Sequence, residues 1–351
     1  MPRIRVGVAL VVPPPASDEI DGLRRAIGDR DRDKIPPHVT LVPPVNLRVD
    51  EIPIALGVLR DTAASVDGPL HLTFGPPRSF GPRGPVIYLD VRPRADQRDL
   101  DLVPRMHQAA RRGPLERPLA HPFVPHATLR VDLPADRVVP TLDALHFFEL
   151  AVALTHVQLL REVRGPTGMR RWRTIADVAL GPRRIVGRGG LAVELTRSTV
   201  LDPEAAGVLL DWTLLPDDID PGPPPADLRV VVARREERVV GLITARRDDA
   251  RRLVDRFAVA DEALTHGIGE MLLLELEAMA AEEVLLAVDV PDPVDDTDPL
   301  RGVRPLLADR GFEPAADHAG RKVARRHVPV AGAMLRPPAD AGPRTAGPVA
   351  P

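Results

Sequence analysis

The first half of the chain alternates short apolar runs with segments whose apolar residues recur every three or four positions. Runs rich in β-branched residues predict strands, and the helical spacing between them predicts amphipathic helices. The mixture favours an α/β or α+β domain that ends near Gly181. The predicted strands are 3–12, 38–43, 70–75, 85–91, 125–131, 147–160 and 171–179, and the predicted helices are 17–28, 50–65, 95–112 and 135–145.

The second half places three strands in succession before its main helix. Its predicted elements are strands at 191–199, 228–234, 238–246, 251–259, 284–289 and 321–328, and helices at 202–213, 267–282 and 299–310. The stretch between the halves, GPRRIVGRGG, has the glycine and arginine content of a linker. The final stretch is rich in Ala, Pro and Gly, which favours disorder. We therefore predict a first domain at 1–181, a linker at 182–190, a second domain at 191–328 and a disordered tail at 329–351.

The composition is that of a globular protein, because 44% of the 351 residues are hydrophobic and 28% are charged. This length suits two domains. The apolar run at the N-terminus is too short to cross a membrane and lacks a small-residue cleavage site, so we expect a first strand and a cytoplasmic protein without a membrane partner. The absence of cysteine excludes disulfides, thiolate nucleophiles and cysteine metal sites.

Charge divides unevenly along the chain. Residues 1–182 contain 25 Lys and Arg against 21 Asp and Glu, a balance of +4, and the remainder contains 22 against 29, a balance of −7. A mildly basic first half suits a phosphate-bearing ligand. It is far from the basic stripe of a dedicated duplex binder.

A Pro-His-x-Thr-Leu unit occurs twice, as PPHVTL at 36–41 and as PHATL at 125–129. Alternate residues of a strand face one side, so His38 projects with Thr40, and His126 projects with Thr128. If the two strands are neighbours, four polar groups converge on one surface. A neutral imidazole can then accept a proton, a protonated imidazole can donate one, and the hydroxyls can bind phosphate oxygens without a metal ion.

The alternative is that the two histidines only cap their strands. A single His-x-Thr is weak evidence, because so short a sequence also occurs by chance. His71-Leu-Thr73 is such a case, and it lacks the flanking proline and leucine that the other two share. Near the second motif, Phe123 either stacks on a base or belongs to the core. The basic turn RGPTGMRRWR offers Arg164, Arg170 and Arg171 to a phosphate, or it is a solvated hairpin. These alternatives stay open from the residues alone.

The paired motifs and the closing segment WRTIADVALG resemble the two-histidine phosphoesterase superfamily, which includes the 2′-5′ RNA ligase family, over about residues 3–180. The resemblance implies an α+β fold of two similar lobes around a cleft. It also implies that His38 and His126 are the acid/base pair, that Thr40 and Thr128 position the phosphate, and that no cofactor is needed. The implied ligands are cyclic nucleotides or RNA ends with a 2′,3′-cyclic phosphate. Which histidine is the base stays open.

A glycine turn precedes the main helix of the second half, with Gly267-Ile268-Gly269 following an apolar strand. Glycines let backbone amides approach an anion, and a helix N-terminus favours negative charge, so a pyrophosphate fits here. A lone Gly-x-Gly is also compatible with a helix entry that binds nothing.

The strand order and LLADRGF at 306–312 resemble a GNAT-type N-acetyltransferase over about residues 191–328, a mixed α/β fold. The resemblance implies acetyl-CoA as cofactor. The pantetheine arm would lie along Phe257, Ala258 and Val259, and the pyrophosphate would meet His266, Gly267, Ile268 and Gly269. Two residues depart from the family pattern: Leu264 stands where Gln or Arg is usual, and Leu307 stands where many members have a catalytic tyrosine.

Three functions follow from these motifs. The first is a metal-independent phosphodiesterase for 2′,3′-cyclic phosphate ends, fused to an N-acetyltransferase. The second is an N-acetyltransferase whose first domain recognises a nucleotide or a phosphorylated acceptor. The third is a noncatalytic RNA-end binder whose second domain mediates dimerisation, although only 3% aromatic residues argue against broad base-stacking surfaces.

Overall fold

The computed structural model describes residues 2–81, 85–94, 101–119, 121–165, 168–186, 192–209, 227–248, 251–260, 267–279, 284–289, 307, 312–316 and 322–328. These residues form two eight-stranded sheets. Among the described residues, no helix combines the length and the apolar composition needed to cross a membrane.

The first sheet is built by the first half of the chain. Its strands are β1 (Arg3–Val11), β2 (His38–Arg48), β3 (Leu70–Phe80), β4 (Val86–Pro93), β5 (His126–Arg130), β6 (Leu150–Leu154), β7 (His156–Arg164) and β8 (Arg170–Ala179). Their spatial order is β6-β3-β4-β5-β2-β1-β7-β8, and every recorded pair in this sheet is antiparallel.

This order is symmetric about the β5/β2 contact: β4 matches β1, β3 matches β7, and β6 matches β8. One lobe contributes β1, β2, β7 and β8, and the other contributes β3 to β6. The expectation of a pseudo-symmetric, two-lobed α+β fold is therefore confirmed. The helices are α1 (Ala16–Ala26), α2 (Ile52–Ala63), α3 (Leu102–Ala110) and α4 (Ala135–Ala144), with short 3-10 helices at Val49–Glu51 and Gly113–Leu115.

One face of the sheet is the core side. Along β1, Val6, Val8 and Leu10 are at most 1% exposed, whereas Arg3 and Arg5 are exposed. Burying the apolar residues of alternate positions against the helices stabilises the sheet by roughly 1.5–3 kcal/mol for each large side chain. The opposite face of the central strands is therefore the surface on which the polar residues of β2 and β5 lie.

The second sheet is mixed and belongs to the second half. Its strands are β9 (Arg184–Val186), β10 (Val193–Ser198), β11 (Arg229–Arg235), β12 (Arg238–Asp248), β13 (Arg251–Val259), β14 (Val284–Asp289), β15 (Glu313–Ala316) and β16 (Lys322–Val328). Within the part of this half that the structure describes, it is accompanied by α5 (Pro203–Leu209) and α6 (Ile268–Ala278). The pair β13 and β14 is parallel, and the other recorded pairs are antiparallel.

Several element boundaries differ from the sequence-based expectation. The single strand expected at 147–160 is wrong, because β6 ends at Leu154 and β7 begins at His156 near the other end of the same sheet. Apolar alternation continues through Thr155, so the pattern alone does not reveal the change of partner. Strand β9 lies inside the expected linker, and β15 was not predicted. The tail at 329–351 and nearly all of the helix expected at 299–310 lie outside the described residues.

Candidate functional site

The two His-x-Thr motifs lie on adjacent central strands, β2 and β5. Val39 pairs with Ala127 in antiparallel register, and both are fully buried on the core side. Continuing that register by one residue in each direction sets His38 beside Thr128, and Thr40 beside His126. Directly opposite side chains share one face of a sheet. All four polar residues are half-buried on the face opposite the core.

A β-bulge follows the threonine in each motif. In β2 the register to β1 passes from Thr40 to Val42, so Leu41 is the extra residue. In β5 the register to β4 passes from Thr128 to Arg130, so Leu129 is the extra residue. Bulges re-aim side chains and increase local twist. The leucine shared by the two motifs therefore marks a bulge that ends each polar pair.

Both histidines are oriented by their own strand. Nδ1 of His38 lies 2.8 Å from the carbonyl oxygen of Pro36, and Nδ1 of His126 lies 2.8 Å from that of Val124. A carbonyl oxygen only accepts, so each Nδ1 carries a proton and donates it. Nε2 is then the ring nitrogen that each histidine presents to a ligand, without a proton in the neutral imidazole and with one in the imidazolium. Two such nitrogens in one cleft can exchange protons with a ligand.

His38 is kept neutral by its surroundings. Burial is the main cause that lowers the pKa of His38, from 6.5 to about 4; the bond to the Pro36 carbonyl opposes it, while Arg24 and His126 reinforce it. A proton acceptor must be unprotonated at the working pH, and His38 meets that condition near neutrality.

Arg24 also shapes the approach to the first motif. Its guanidinium lies within 2.9 Å of carboxylate oxygens of Asp21 and Asp29, and Nη1 donates to the carbonyl of Ile35 at 3.0 Å. Its side chain is only 4% exposed. The arginine therefore fixes the chain just before His38 to α1, and sequence analysis did not identify it. A buried arginine between two carboxylates has no recognisable sequence motif.

Aromatic rings surround His126 instead. Phe80 and Tyr88 stack at 3.9 Å, and the His126 ring meets them edge-on at 5.1 and 5.4 Å. Tyr88 faces Thr128 across the β4/β5 ladder. Burial raises the pKa of Tyr88, and the Asp90 carboxylate adds to this, so the phenol keeps its proton. Tyr88 was not predicted as a site residue, because no local pattern in the sequence links it to His126.

The polar face continues across the other lobe. Ala9 pairs with Thr40 on one side and with Gln158 on the other, so the three side chains form one row. Gln158 accepts a hydrogen bond from the Val11 amide through Oε1 at 2.9 Å. The small alanine leaves space between the threonine and the amide. Gln158 was also missed, since it lies two strands from the motif.

The other predicted residues fall outside this cluster. Phe123 packs against the core and stacks on His107, so its ring is not presented to a ligand base. Arg164 and Arg170 face each other at the hairpin tip, where Arg170 pairs with Glu162 at 2.8 Å and both line a cavity of about 300 Å³. This cavity also reaches Asn46, which lies roughly 25 Å along β2 from His38 by strand rise.

Arg171 and the third His-x-Thr sequence are also away from the cluster. Arg171 faces Val163 across the hairpin, and its neighbour Arg170 faces Arg164. His71 is exposed on β3, which lies two strands from β5, and it pairs with Ala153 of the edge strand β6.

The second predicted site is centred on the N-terminus of α6. Gly267 precedes the helix with φ +69°, a left-handed conformation that favours glycine. Ile268 is 1% exposed in the second core, and Gly269 begins the first turn. A Cβ on Gly241 of β12 would lie 2.9 Å from Leu272, so that glycine permits the close contact between β12 and α6.

The strand before this turn carries the other predicted cofactor residues. Phe257 is buried in the second core, and Ala258 and Val259 are half-buried. The parallel register of β13 with β14 runs from Arg251↔Leu285 to Val254↔Val288, and β13 then continues to Val259 beside β12. His266 and Leu264 lie outside the described residues.

Two features of the second half differ from those expected of a GNAT-type acetyl-CoA site. Leu307 is 2% exposed in the second core, so the position where many family members have tyrosine holds an apolar core residue. In addition, a carboxylate oxygen of Glu270 lies 4.0 Å from the position of a Cβ on Gly267. A carboxylate in the first turn suits the positive end of a helix dipole and repels a second anion.

Comparison with known proteins matches the two halves separately. Residues 12–166 match the family model of the 2′-5′ RNA ligase superfamily, and residues 201–294 match that of the acetyltransferase (GNAT) family. Putative phosphoesterase OB1230 of Oceanobacillus iheyensis is 27% identical over 162 residues, which are 46% of this chain and 91% of that protein. Putative phosphoesterase GWCH70_0799 of Geobacillus sp. (strain WCH70) is 37% identical over 102 residues, which are 28% of this chain and 54% of that protein.

Two solved structures are similar to parts of the chain at low identity. LigT of E. coli complexed with 3′-AMP is 20% identical, with 51% of this chain and 98% of that chain covered and a TM-score of 0.38. The PaiA N-acetyltransferase of Thermoplasma acidophilum in complex with coenzyme A is 16% identical, with 28% of this chain and 60% of that chain covered and a TM-score of 0.24. From the family matches, the chain carries a domain of the 2′-5′ RNA ligase superfamily at residues 12–166, followed by a GNAT-family acetyltransferase domain at residues 201–294.

Proposed function

We propose that the first sheet carries a phosphodiesterase that opens 2′,3′-cyclic phosphates at RNA ends or in nucleotides, without a metal ion. The observation that carries the proposal is the pair of His-x-Thr motifs on adjacent antiparallel strands. Each histidine donates Nδ1–H to a carbonyl two residues earlier and so presents Nε2 to the ligand. Two imidazoles in opposite protonation states are sufficient for acid/base catalysis of phosphodiester hydrolysis.

In this reaction His38 is the general base and His126 is the general acid. His38 is neutral near pH 7 because its pKa is lowered to about 4, so Nε2 can take a proton from water. The water oxygen attacks phosphorus, one P–O bond of the cyclic ester breaks, and the leaving oxygen takes a proton from Nε2 of His126. The product is a ribose phosphomonoester with one hydroxyl restored, and proton exchange with solvent resets the two imidazoles.

The threonines hold the phosphate during this transfer. Thr40 and Thr128 lie next to the histidines on the same face, so their hydroxyls can donate to the nonbridging oxygens. Charge grows on these oxygens in the transition state, and prearranged donors stabilise it there more than in the ground state. The aromatic pair beside His126 restricts its ring, which helps to keep the acid aimed at the leaving oxygen.

The first prediction concerns the two histidines. His38→Ala and His126→Ala should each lower kcat by about 10²–10⁴-fold on a 2′,3′-cyclic nucleotide or RNA end, the range of general acid/base catalysis. The assay is a screen of cyclic phosphodiesters in the presence of a chelator, with product identified by mass. His71→Ala is the matched control, since His71 has the same His-x-Thr sequence on β3.

Two outcomes would reject the phosphodiesterase. Full activity in either alanine variant would exclude the acid/base pair. Binding of cyclic phosphate ends with no turnover by the unaltered protein would instead favour the noncatalytic RNA-end binder.

A second candidate function is N-acetyl transfer from acetyl-CoA by the second sheet, with the first sheet recognising a nucleotide or a phosphorylated acceptor. The observation that favours it is the left-handed Gly267 at the start of α6 within a GNAT-family match. The free amides of a helix N-terminus suit a pyrophosphate. Attack by a free amine on a thioester needs chiefly orientation, so a buried Leu307 in place of tyrosine is compatible with transfer.

The second prediction tests this cofactor through Glu270. Glu270→Gln removes a negative charge beside the glycine turn, so calorimetry on the full chain should show acetyl-CoA affinity rising by about two- to fivefold, equivalent to 0.3–1 kcal/mol. Glu236→Gln, at an exposed turn in the same half, is the control and should leave affinity unchanged. No detectable heat with either variant or with the unaltered chain would remove acetyl-CoA as the cofactor.

A further inference from the structure

A buried histidine on α3 contacts the backbone beside the first motif. His107 is 4% exposed, and its Nδ1 lies 2.7 Å from the carbonyl oxygen of Leu41. Since the carbonyl only accepts, Nδ1 carries the proton and donates. Leu41 is the extra residue of the bulge after Thr40, where β1 pairs with Thr40 and then with Val42. The histidine therefore donates to a carbonyl at a position that the β1 register skips.

The same ring also contacts the segment that leads into the second motif. His107 and Phe123 stack at 3.9 Å with planes only 6° apart. The next residue, Val124, supplies the carbonyl that accepts Nδ1–H of His126. One imidazole thus hydrogen-bonds the backbone of Leu41, three residues after His38, and stacks on the side chain of Phe123, three residues before His126.

A histidine is a costly residue for this position if packing is its only role. Its Nε2 is buried and has no hydrogen-bond partner among the described residues. A buried polar atom without a partner is unfavourable, and an apolar residue of similar size would avoid that penalty. Burial lowers the pKa of His107, so the ring stays neutral and the Nδ1 donor is present at neutral pH. What the histidine adds is the bond to Leu41.

The other lobe secures its bulge in a different way. Arg130, which follows the extra residue Leu129, donates through Nη1 to the carbonyls of Ile27 and Gly28 at the end of α1, at 2.5 and 2.6 Å. The two lobes share the bulge but not the side chain that holds it. This difference is what makes His107 separable by mutation, because its removal leaves the Arg130 contacts in place.

We propose that His107 is a positioning residue that braces both His-x-Thr motifs and so sets the distance between the two Nε2 atoms. It touches no substrate and acts through Leu41 and Phe123. Its catalytic consequence rests on the proposed phosphodiesterase, whereas its effect on the order of the two histidine rings does not.

Two substitutions separate the hydrogen bond from the stacking. His107→Phe keeps an aromatic ring against Phe123 and loses the donor, whereas His107→Asn keeps a donor near the Nδ1 position and loses the stack. We expect His107→Phe to lower kcat by about 10- to 100-fold at nearly constant KM, because misplaced catalytic groups act on the transition state. His107→Asn should recover part of that loss, because it restores a donor to Leu41 but not the stack on Phe123. Met106→Leu, a fully buried change on the same helix, controls for altered packing.

A second readout does not require turnover. The Nδ1 protons of His38 and His126, observed by NMR in the full chain, should exchange with water about tenfold faster in His107→Phe than in the unaltered protein, and should not change in Met106→Leu. Faster exchange supports the brace even if no cyclic phosphate is opened, in which case only the proposed function fails. Unchanged exchange with unchanged kcat in His107→Phe overturns the brace. Equal losses in His107→Phe and Met106→Leu also overturn it.

Discussion

At the scale of single residues, the two proposed catalytic histidines share a motif and a hydrogen bond but not an environment. The pKa of His38 is lowered mainly by burial, with the Arg24 charge adding to the shift, whereas the ring of His126 meets Phe80 and Tyr88 edge-on. A repeated motif on a pseudo-symmetric sheet therefore supplies two chemically different imidazoles. This difference in surroundings is what allows one of them to be assigned as the base.

The third prediction follows from the lowered pKa of His38. The base must be unprotonated, so activity is lost as pH falls through its folded-state pKa of about 4 and not through the ordinary 6.5. The acid limb of kcat/KM, measured on a 2′,3′-cyclic nucleotide, should lie near pH 4, with activity retained between pH 5 and 6. An acid limb at or above pH 6.5 would contradict the assignment of His38 as base.

The same shift has a consequence for stability. Below pH 6.5 the unfolded chain binds a proton at this position, while folded His38 binds it only near pH 4. The folded state therefore loses stability as pH falls across that window, and it gains none from this group above 6.5. Chemical denaturation at pH 5 and pH 7 should show a smaller difference in His38→Ala than in the unaltered chain.

The proposed acid/base residues were accessible from sequence because their signal is local and repeated. His38, Thr40, His126 and Thr128 follow from two copies of a five-residue unit, and strand periodicity places the two polar residues of each copy on one face. That the two copies lie on adjacent strands is given by the structure. The supporting residues were not accessible in this way. Tyr88, Gln158 and His107 reach the site only through strand register and helix packing, which a single sequence does not specify.

At the scale of elements, the bulges explain why the motif extends to leucine. In an unbulged strand only the alternate residues Val39, Leu41 and Pro43 would face the core. Here two consecutive residues, Leu41 and Val42, are both fully buried. The shift of register ends the polar alternation after Thr40 and returns the strand to the core. Element type was predictable for most of the chain. The break at Thr155 was not, because β6 and β7 share one apolar alternation and differ only in their distant partners.

The fourth prediction concerns the contact of α6 with β12. Gly241→Val places a branched side chain where even a Cβ would lie 2.9 Å from Leu272 and 3.0 Å from Ile268. Overpacking of this kind costs about 1–3 kcal/mol, so the urea midpoint of the second sheet should fall and α6 amides should exchange faster. Gly22→Ala, in α1 with open space around it, is the control and should be neutral or stabilising. An unchanged midpoint in Gly241→Val would refute the close-packing role.

At the scale of the whole molecule, polar contacts join the two sheets. Asp177 of β8 accepts hydrogen bonds from the Ser198 and Thr199 hydroxyls and from the Thr199 amide, the latter at 2.9 Å. Arg60 of α2 pairs with Glu237 at the β11/β12 turn and lies 3.7 Å from Glu204 of α5. The domain boundary near residue 181 remains a prediction. These contacts indicate that the two halves do not behave as independent domains joined by a linker.

The fifth prediction tests this junction. Asp177→Ala removes the acceptor of the Thr199 amide and hydroxyl, while the Ser198 hydroxyl keeps the Val200 carbonyl, so the free energy of unfolding should fall by about 1–3 kcal/mol. We expect the unfolding transition, followed by calorimetry, to broaden or divide as the halves lose coupling. Asp67→Ala, at an exposed carboxylate in the first half, should leave the transition unchanged. A single, unshifted transition in Asp177→Ala would show that the contact does not couple the halves.

The central claim is that His38 and His126 act together as base and acid on a cyclic phosphate. The most direct measurement is kcat for the unaltered chain, the two single alanine variants and the double variant, on one 2′,3′-cyclic phosphate with chelator present. Groups that act as a unit give non-additive losses, so the double variant should be little slower than either single variant. Additive losses, or a single variant that keeps full activity, would contradict the account.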